Sequence, residues 1–227
     1  MTHRRILLSW SSGKDSAWSL FTLRQDPDND VVGLLTVINE EFDRVAMHAV
    51  RRELLQLQAD GAGTDLWAVD IPHNCTNDLY EEAMRHALDR ARGAGITAIA
   101  FGDLFLEDVR SYRETKMAGM GFELLFPLWG KPTRRLAQEM IDGGLRATVT
   151  SIDPRALDRS WAGRAWDAAF LSDLPENVDP CGENGEFHTF VHAGPIFAQP
   201  IPVHRGEVVE RDGFVFADLL PGRPSLH

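Results

Sequence analysis

The chain has 227 residues, 44% hydrophobic and 25% charged, enough for one large domain or a domain with an appendage. Its formal net charge of −11, from 34 acidic and 23 basic side chains, argues against general binding to a phosphate backbone or an anionic membrane. Two cysteines, Cys75 and Cys181, cannot form a disulfide framework, and no apolar run reaches the length of a secretory leader or a membrane span, so a soluble cytoplasmic protein is expected.

Short apolar runs alternate with amphipathic segments along the chain. A strand at 6–9 leads to a helix at 16–24, a strand at 31–37 to a helix at 44–59, and a strand at 65–71 to a helix at 76–93. In that third helix Leu79, Ala83, His86, Ala87 and Arg90 recur at three- and four-residue steps, and Gly93 and Gly95 stop it. A strand at 96–101, a helix at 108–117, a strand at 123–126, a helix at 133–142 ending in Gly143–Gly144, and a strand at 146–151 follow. Strand and helix in alternation predict an α/β fold, a parallel sheet flanked by helices on both faces. The connection "PLWGKPT" (127–133) predicts a boundary between an α/β part over residues 1–130 and a smaller mixed part over 131–227. Near the end, "EVVERDGFVFADL" reads as a hairpin turning at Arg211-Asp212-Gly213.

The first strand runs into Ser11-Ser12-Gly13-Lys14-Asp15-Ser16. In an open parallel sheet, ligands bind beyond the carboxyl ends of the strands. Gly13 permits close backbone approach; the amides of a helix N-terminus together with Lys14 suit an anion such as phosphate. Asp15 would repel phosphate unless a cation lies between them, which points to Mg²⁺. A lysine here is notable in a chain with three lysines and 20 arginines. The bland alternative is a turn capped by Ser12 or Asp15. The stretch is not a Walker A loop, because Leu8 stands where its first glycine belongs and Asp15 replaces its Ser/Thr; it also lacks the glycines of the dinucleotide fingerprint. What remains resembles the PP-loop, SGGxDS, of ATP pyrophosphatases that cut ATP between its α- and β-phosphates, with Ser12 at a usual glycine.

Two further groups carry chemistry. Phe101-Gly102-Asp103-Leu104 ends the fourth apolar run, and Arg110, Arg113 and Glu114 follow. Asp103 could help hold Mg²⁺, and Arg110 or Arg113 could neutralise phosphate; the alternative is a cap and a solvated helix face. "DPCGENGEFHTF" (179–190) frames Glu183, Asn184 and Glu186 between Gly182 and Gly185, with His188 beyond. Its carboxylates suit acid/base work, cation binding or an amine, and a polar surface turn is the alternative. Cys181 reads as a small semi-buried thiol rather than a nucleophile, and Trp10, Trp18 and Trp67 as packing residues.

Together, strand–SSGKDS, "FGD" with a basic helix, "PLW" and "GENGEF.TF" near "PIF" resemble the diphthine–ammonia ligase family of PP-loop ATPases, over roughly Arg4 to Phe197. The resemblance implies an adenine-nucleotide α-hydrolase-like domain followed by a small domain carrying the acidic loop. It also implies adenylation of an acceptor carboxylate, in the prototype that of diphthine on elongation factor 2. Ammonia then displaces AMP, and pyrophosphate is the other product. Mapped onto this chain, Ser11, Ser12, Gly13 and Ser16 would hold pyrophosphate, Lys14 would neutralise it, and Gly102, Asp103 and Arg110 would complete the nucleotide site. Asp15 and Asp103 would place Mg²⁺, while Gly182, Glu183, Gly185, Glu186 and His188 would meet substrate or ammonia. His188 stands where the family commonly has an acidic residue, which implies altered handling of ammonium or acceptor with ATP activation intact. The additional domains of larger relatives are not expected here. The resemblance carries adenylation of a carboxylate further than it carries diphthine. A different acceptor, such as tRNA or a small molecule, and a nucleotide sensor without turnover are the competing functions. The acidic balance and the lack of paired cysteines weigh against tRNA. A homodimer is compatible with the resemblance.

Overall fold

The computed structural model describes residues 3–45 and 50–222. Its first sheet has six strands: β1 (Arg4–Ser9), β2 (Asn29–Asn39), β3 (Arg44–Val45), β4 (Asp65–Ile71), β5 (Ala98–Ala100) and β6 (Glu123–Leu125). All pairings are parallel except that of β3. The parallel order is β4-β2-β1-β5-β6, so the chain winds outward from β1, then crosses back to lay β5 on its other side. That reversal opens a crevice beyond the carboxyl ends of β1 and β5, where an open α/β sheet takes its ligand.

Both faces of this sheet are covered, which explains why its strands read as continuous apolar runs. Ile6 and Leu8 point into a core shared with α1 (Lys14–Leu23), α2 (Arg52–Ala62) and the second sheet; Leu7 between them joins a separate core under α3 (Asn77–Gly93) and α4 (Glu107–Met117). The α3 stripe sits rotated from the predicted one. Leu88 and Ala91 are buried with Ala83, Met84 and Ala87 against them, whereas Leu79 is 46% exposed. The helix predicted at 44–59 divides: Arg44–Val45 is strand, 46–49 lie outside the described residues, and α2 begins at Arg52. β3 pairs with Ile38 and Asn39, and β4 takes the other edge of β2 along its length. β3 therefore stands beyond the end of β1, as a wall over the loop that follows it.

After α5 (Thr133–Asp142) the topology changes. The strand predicted at 146–151 does not extend the parallel sheet. It is β7 (Arg146–Ile152), the centre of an antiparallel sheet. On one edge it pairs with β9 (Phe187–Ala193); its other partners are β8 (Ala165–Trp166) and β11 (Phe214–Pro221). β10 (Val203–Arg211) and β11 form the expected hairpin, whose Asp212 and Gly213 both adopt positive φ, 50° and 80°. That is the backbone an Asp-Gly two-residue turn supplies, and its twist matches that of the strands. β8, β9 and the short α6 (Ala168–Asp173), capped by Asp167, were not predicted. No helix of the described residues is long and apolar enough to cross a membrane.

A charged clamp ties the hairpin to the first sheet. Asp218 on β11 accepts from Arg44 Nη1 at 2.9 Å and Arg51 Nη2 at 2.6 Å. Burial alone would raise the Asp218 carboxyl, but the hydrogen bonds from Arg51 and Arg44 outweigh it and hold it below the ordinary range. A depressed carboxylate stabilises the fold above its unfolded pKa of about 4 and loses that contribution as pH falls through the folded value. Asp218→Asn is therefore expected to be less stable than the parent near pH 7 and to lose less stability on acidification, measured as denaturant midpoints across pH 3–7.

Candidate active site

β1 delivers its loop into the crevice with an unusual backbone. Ser12 has φ 71°, a left-handed conformation that an L side chain adopts at a cost. α1 then begins at Lys14 with Gly13 at the N-cap, so neither Ser12 nor Asp15 holds that position. The capped-turn alternative therefore fails, and the N-terminal turn of α1 opens on a cavity of about 240 Å³. Of the predicted phosphate-loop residues, Ser11, Gly13, Lys14, Asp15 and Ser16 line it. Ser12 does not; its hydroxyl is buried without a hydrogen-bond partner.

Lys14 is only 2% exposed, and its ammonium sits between the two sheets. It donates to Asp15 Oδ2 at 2.7 Å and to the backbone oxygen of Cys181, and lies 5.4 Å from the Phe187 ring and 5.7 Å from the Trp166 ring. Burial opposes its charge, but Asp15 foremost, with Glu183, outweighs this and holds its pKa above the ordinary lysine value. The other Asp15 oxygen, Oδ1, is buried and has no hydrogen-bond partner. An unpaired carboxylate oxygen facing a phosphate-sized cavity suits Mg²⁺, which takes one or two carboxylates and completes its shell with phosphate and water. Among the described residues no group of three or more His, Cys, Asp or Glu forms a ready cage for a metal.

The loop after β5 abuts this one. A Cβ on Gly102 would stand 3.2 Å from the Asp15 carbonyl carbon and the Ser16 nitrogen, so glycine is what allows the approach. Asp103 lines the cavity but is held by Arg113, which donates to Oδ2 at 2.6 Å and Oδ1 at 3.0 Å and rests on the Phe101 ring. Arg113 lines the cavity and Arg110 does not. The Arg110 guanidinium lies on Phe126 and Trp129, 4.7 and 4.8 Å from their centroids, and is paired with Glu114. A planar cation on an aromatic ledge is stabilised there, which turns this helix position away from the crevice.

The acidic loop arrives from the second sheet and divides its carboxylates between two tasks. Glu186 is 8% exposed and folds the loop: Oε1 accepts from Asp179 N and Asn184 Nδ2, and Oε2 from Asn184 N, all at 3.0 Å. It does not line the cavity. Glu183 does, and its Oε1 accepts from the Leu104 backbone amide at 2.7 Å, bridging to the loop after β5. Burial pushes its carboxyl up to about 7. Gly182, Gly185 and His188 share the cavity wall. Burial, then Lys14, pushes His188 down to about 4, so its imidazole is neutral at pH 7. Burial raises the Cys181 thiol, leaving it protonated and a poor nucleophile.

Three residues at the site escaped sequence reading. Thr189 Oγ1 accepts from Lys14 N at 3.1 Å, Gln58 reaches Ser12 O at 3.0 Å, and Asp179 anchors the acidic loop through Cys181 N at 2.9 Å. Asp179 precedes a proline, a turn signal that could have found it, and Thr189 is the threonine of the GENGEF.TF pattern; Gln58 carries no such signal. A second cavity of about 710 Å³ shares Ser9, Ser11 and Arg113 with the first as wall residues. It runs between α3 and α4 over Leu35, Val37 and Phe101. At the carboxyl end of β2, Val37 lines this cavity, Ile38 is core, and Asn39 faces a different pocket near Phe42.

A larger, partly apolar chamber beside a small polar one, at the switch point of a parallel sheet, is an arrangement that suits a nucleotide in an α/β protein. Comparison with known proteins narrows the class. The family model for the diphthamide synthase N-terminal domain matches residues 4–122, and that for the C-terminal domain matches 132–217. The chain belongs to the diphthine–ammonia ligase family of diphthamide synthases. Similar proteins named diphthine–ammonia ligase occur in Schizosaccharomyces pombe (25% identity over 91% of this chain), Bos taurus (24% over 95%) and Danio rerio (25% over 95%). The chain spans 37% of the fission-yeast protein, 88% of the bovine one and 92% of the zebrafish one.

Ser12 yields a direct test of the loop geometry. Ser12→Gly removes the left-handed strain and the buried unpaired hydroxyl, which outweighs the added chain entropy of glycine. The expected outcome is a gain of about 1 kcal/mol, read as a rise in Tm of about 2–4 °C by calorimetry.

Proposed function

We propose that this protein is an ATP-dependent amide ligase, adenylating an acceptor carboxylate and transferring ammonia to it, with diphthine as the acceptor by analogy with the named relatives. The observation that carries this reading is that one small cavity is lined by both the phosphate loop and the acidic loop, with Asp15 and Glu183 on its wall. Adenosine would occupy the larger chamber and the β- and γ-phosphates the smaller, which puts the α-phosphate where the two meet, beside Ser9, Ser11 and Arg113. An acceptor carboxylate oxygen attacks the α-phosphorus, the bond to the bridging oxygen breaks, and pyrophosphate leaves. Ammonia then attacks the acyl carbon, the carbon–oxygen bond to AMP breaks, and the nitrogen loses a proton.

The chain's own groups serve these steps mainly by placing charge. Arg113 and the α1 N-terminus face the charge developing on phosphate. Arg113 replaces Arg110 in this role because it is the one on the cavity wall. Lys14 contributes its field from the cavity wall while holding Asp15 and the acidic loop in register. Asp15, with Asp103 beside it, would hold Mg²⁺, which supplies charge neutralisation on the phosphates when bound. Glu183, fixed by the Leu104 amide and raised to about 7, is suited to take the proton from the attacking nitrogen. Glu186 acts through Glu183 by shaping the loop.

Products decide the reading. Chromatography of a reaction containing ATP, ammonium and a diphthine-bearing acceptor is expected to show AMP and pyrophosphate; ADP and phosphate would overturn it. AMP release with a small carboxylate but not with diphthine would keep the chemistry and replace the acceptor. A second test concerns the base. A carboxylate must be ionised to accept a proton, so the rate is expected to rise as pH passes about 7. Glu183→Gln is expected to lose that inflection and to be slower by about 10²–10⁴ in kcat.

A further inference from the structure

We infer that the phosphate cradle is assembled from both sheets, and that Gln58 on α2 and Thr189 on β9 are its positioning residues. The inference rests on the nucleotide reading above and adds what sets the cradle's shape.

A primary amide has two N–H donors and a carbonyl acceptor, and Gln58, fully buried, uses all three. Its Oε1 accepts from Trp10 Nε1 at 2.9 Å, and its Nε2 donates to Ser12 O at 3.0 Å and Val191 O at 2.7 Å. The amide has only one workable orientation, since an indole N–H only donates and two backbone carbonyls only accept. The Ser12 carbonyl also takes Val191 N at 3.0 Å. It is thus held from two directions, by a helix of the first part of the chain and by a strand of the second. In a trans peptide the N–H lies opposite the carbonyl. Fixing the Ser12 oxygen toward β9 therefore turns the Gly13 N–H toward Ser11 Oγ, 3.4 Å away, and the small cavity that both residues line. This is the reason a serine tolerates φ 71° here: two donors over-determine the peptide.

Thr189 acts one residue further on. Its hydroxyl accepts from Lys14 N, the first amide of α1, and so pins the helix N-terminus to β9. The strand also continues from the acidic loop, with Phe187 beneath Lys14 and His188 on the cavity wall. One strand thereby fixes the phosphate loop and the acidic loop at a set separation.

The test uses full-length protein and two probes, inorganic pyrophosphate for the small chamber and adenosine for the large one, with affinities measured by calorimetry. Thr189→Val removes the acceptor at constant shape, Thr189→Ser restores it, and Gln58→Met removes the amide at similar volume. Thr189→Val and Gln58→Met are each expected to weaken pyrophosphate binding by at least about tenfold, with adenosine binding changed by less than about threefold and Thr189→Ser close to the parent. If Gln58→Met does not fold, the Thr189 pair decides. Equal losses for both probes, or unchanged pyrophosphate binding in Thr189→Val, would overturn the inference. A parent protein that binds neither probe would overturn the nucleotide reading itself, and the inference with it.

Discussion

A lysine ammonium taken out of water costs several kcal/mol unless its partners replace the solvent. Lys14 is in that position, with 2% of the side chain exposed, and its partners come from both ends of the chain. Asp15 is its neighbour on the loop, while the Cys181 carbonyl and the Trp166 and Phe187 rings belong to the second sheet. The second sheet thus both buries the ammonium and supplies the carbonyl and rings that replace its water. This one cation ties the phosphate loop to the second sheet across a shared apolar core, so the loop is not free-standing.

The electrostatics of the cavity follow from that contact. Packing the acidic loop against the loop after β5 removes Glu183 from water and raises its pKa, while the same loop gives Glu186 three donors. Two glutamates three residues apart therefore differ in what they can do: one is available to the cavity with a proton affinity near neutrality, the other is committed to the backbone. Asp15 and Asp103 differ in a comparable way. Asp103 is satisfied by Arg113 on both oxygens, whereas Asp15 keeps one oxygen unpaired. Environment, not residue type, distributes the roles.

Much of the first sheet was legible because its signals are local. Buried parallel strands read as unbroken apolar runs, and helices end at glycines, so β4 and α5 fall where the pattern placed them. Reading failed where partners are remote. The segment at 44–59 looked helical throughout, yet Arg44 and Val45 pair with β2, since edge pairing overrides weak helical preference. The strand at 146–151 was legible as a strand, but its periodicity could not say which sheet it joins. Arg110 and Arg113 lie one turn apart on α4, and the sequence had no means of choosing between them. The choice came from Phe126 and Trp129, whose rings take up Arg110.

From the sequence alone came the α/β alternation, the phosphate loop at the end of β1, the glycine-framed acidic loop and the Asp-Gly hairpin. Each is written in consecutive residues, where backbone preference and side-chain chemistry act over a turn or two of chain. Only the tertiary structure decided that β9 completes the loop, that Ser12 faces the interior, that Glu183 meets the cavity while Glu186 does not, and that Gln58 belongs to the site. Those facts rest on hydrogen bonds between groups 46, 79, 133 and 175 residues apart. A partner at that distance leaves no period in the sequence, because the geometry that selects it exists only once both sheets are packed.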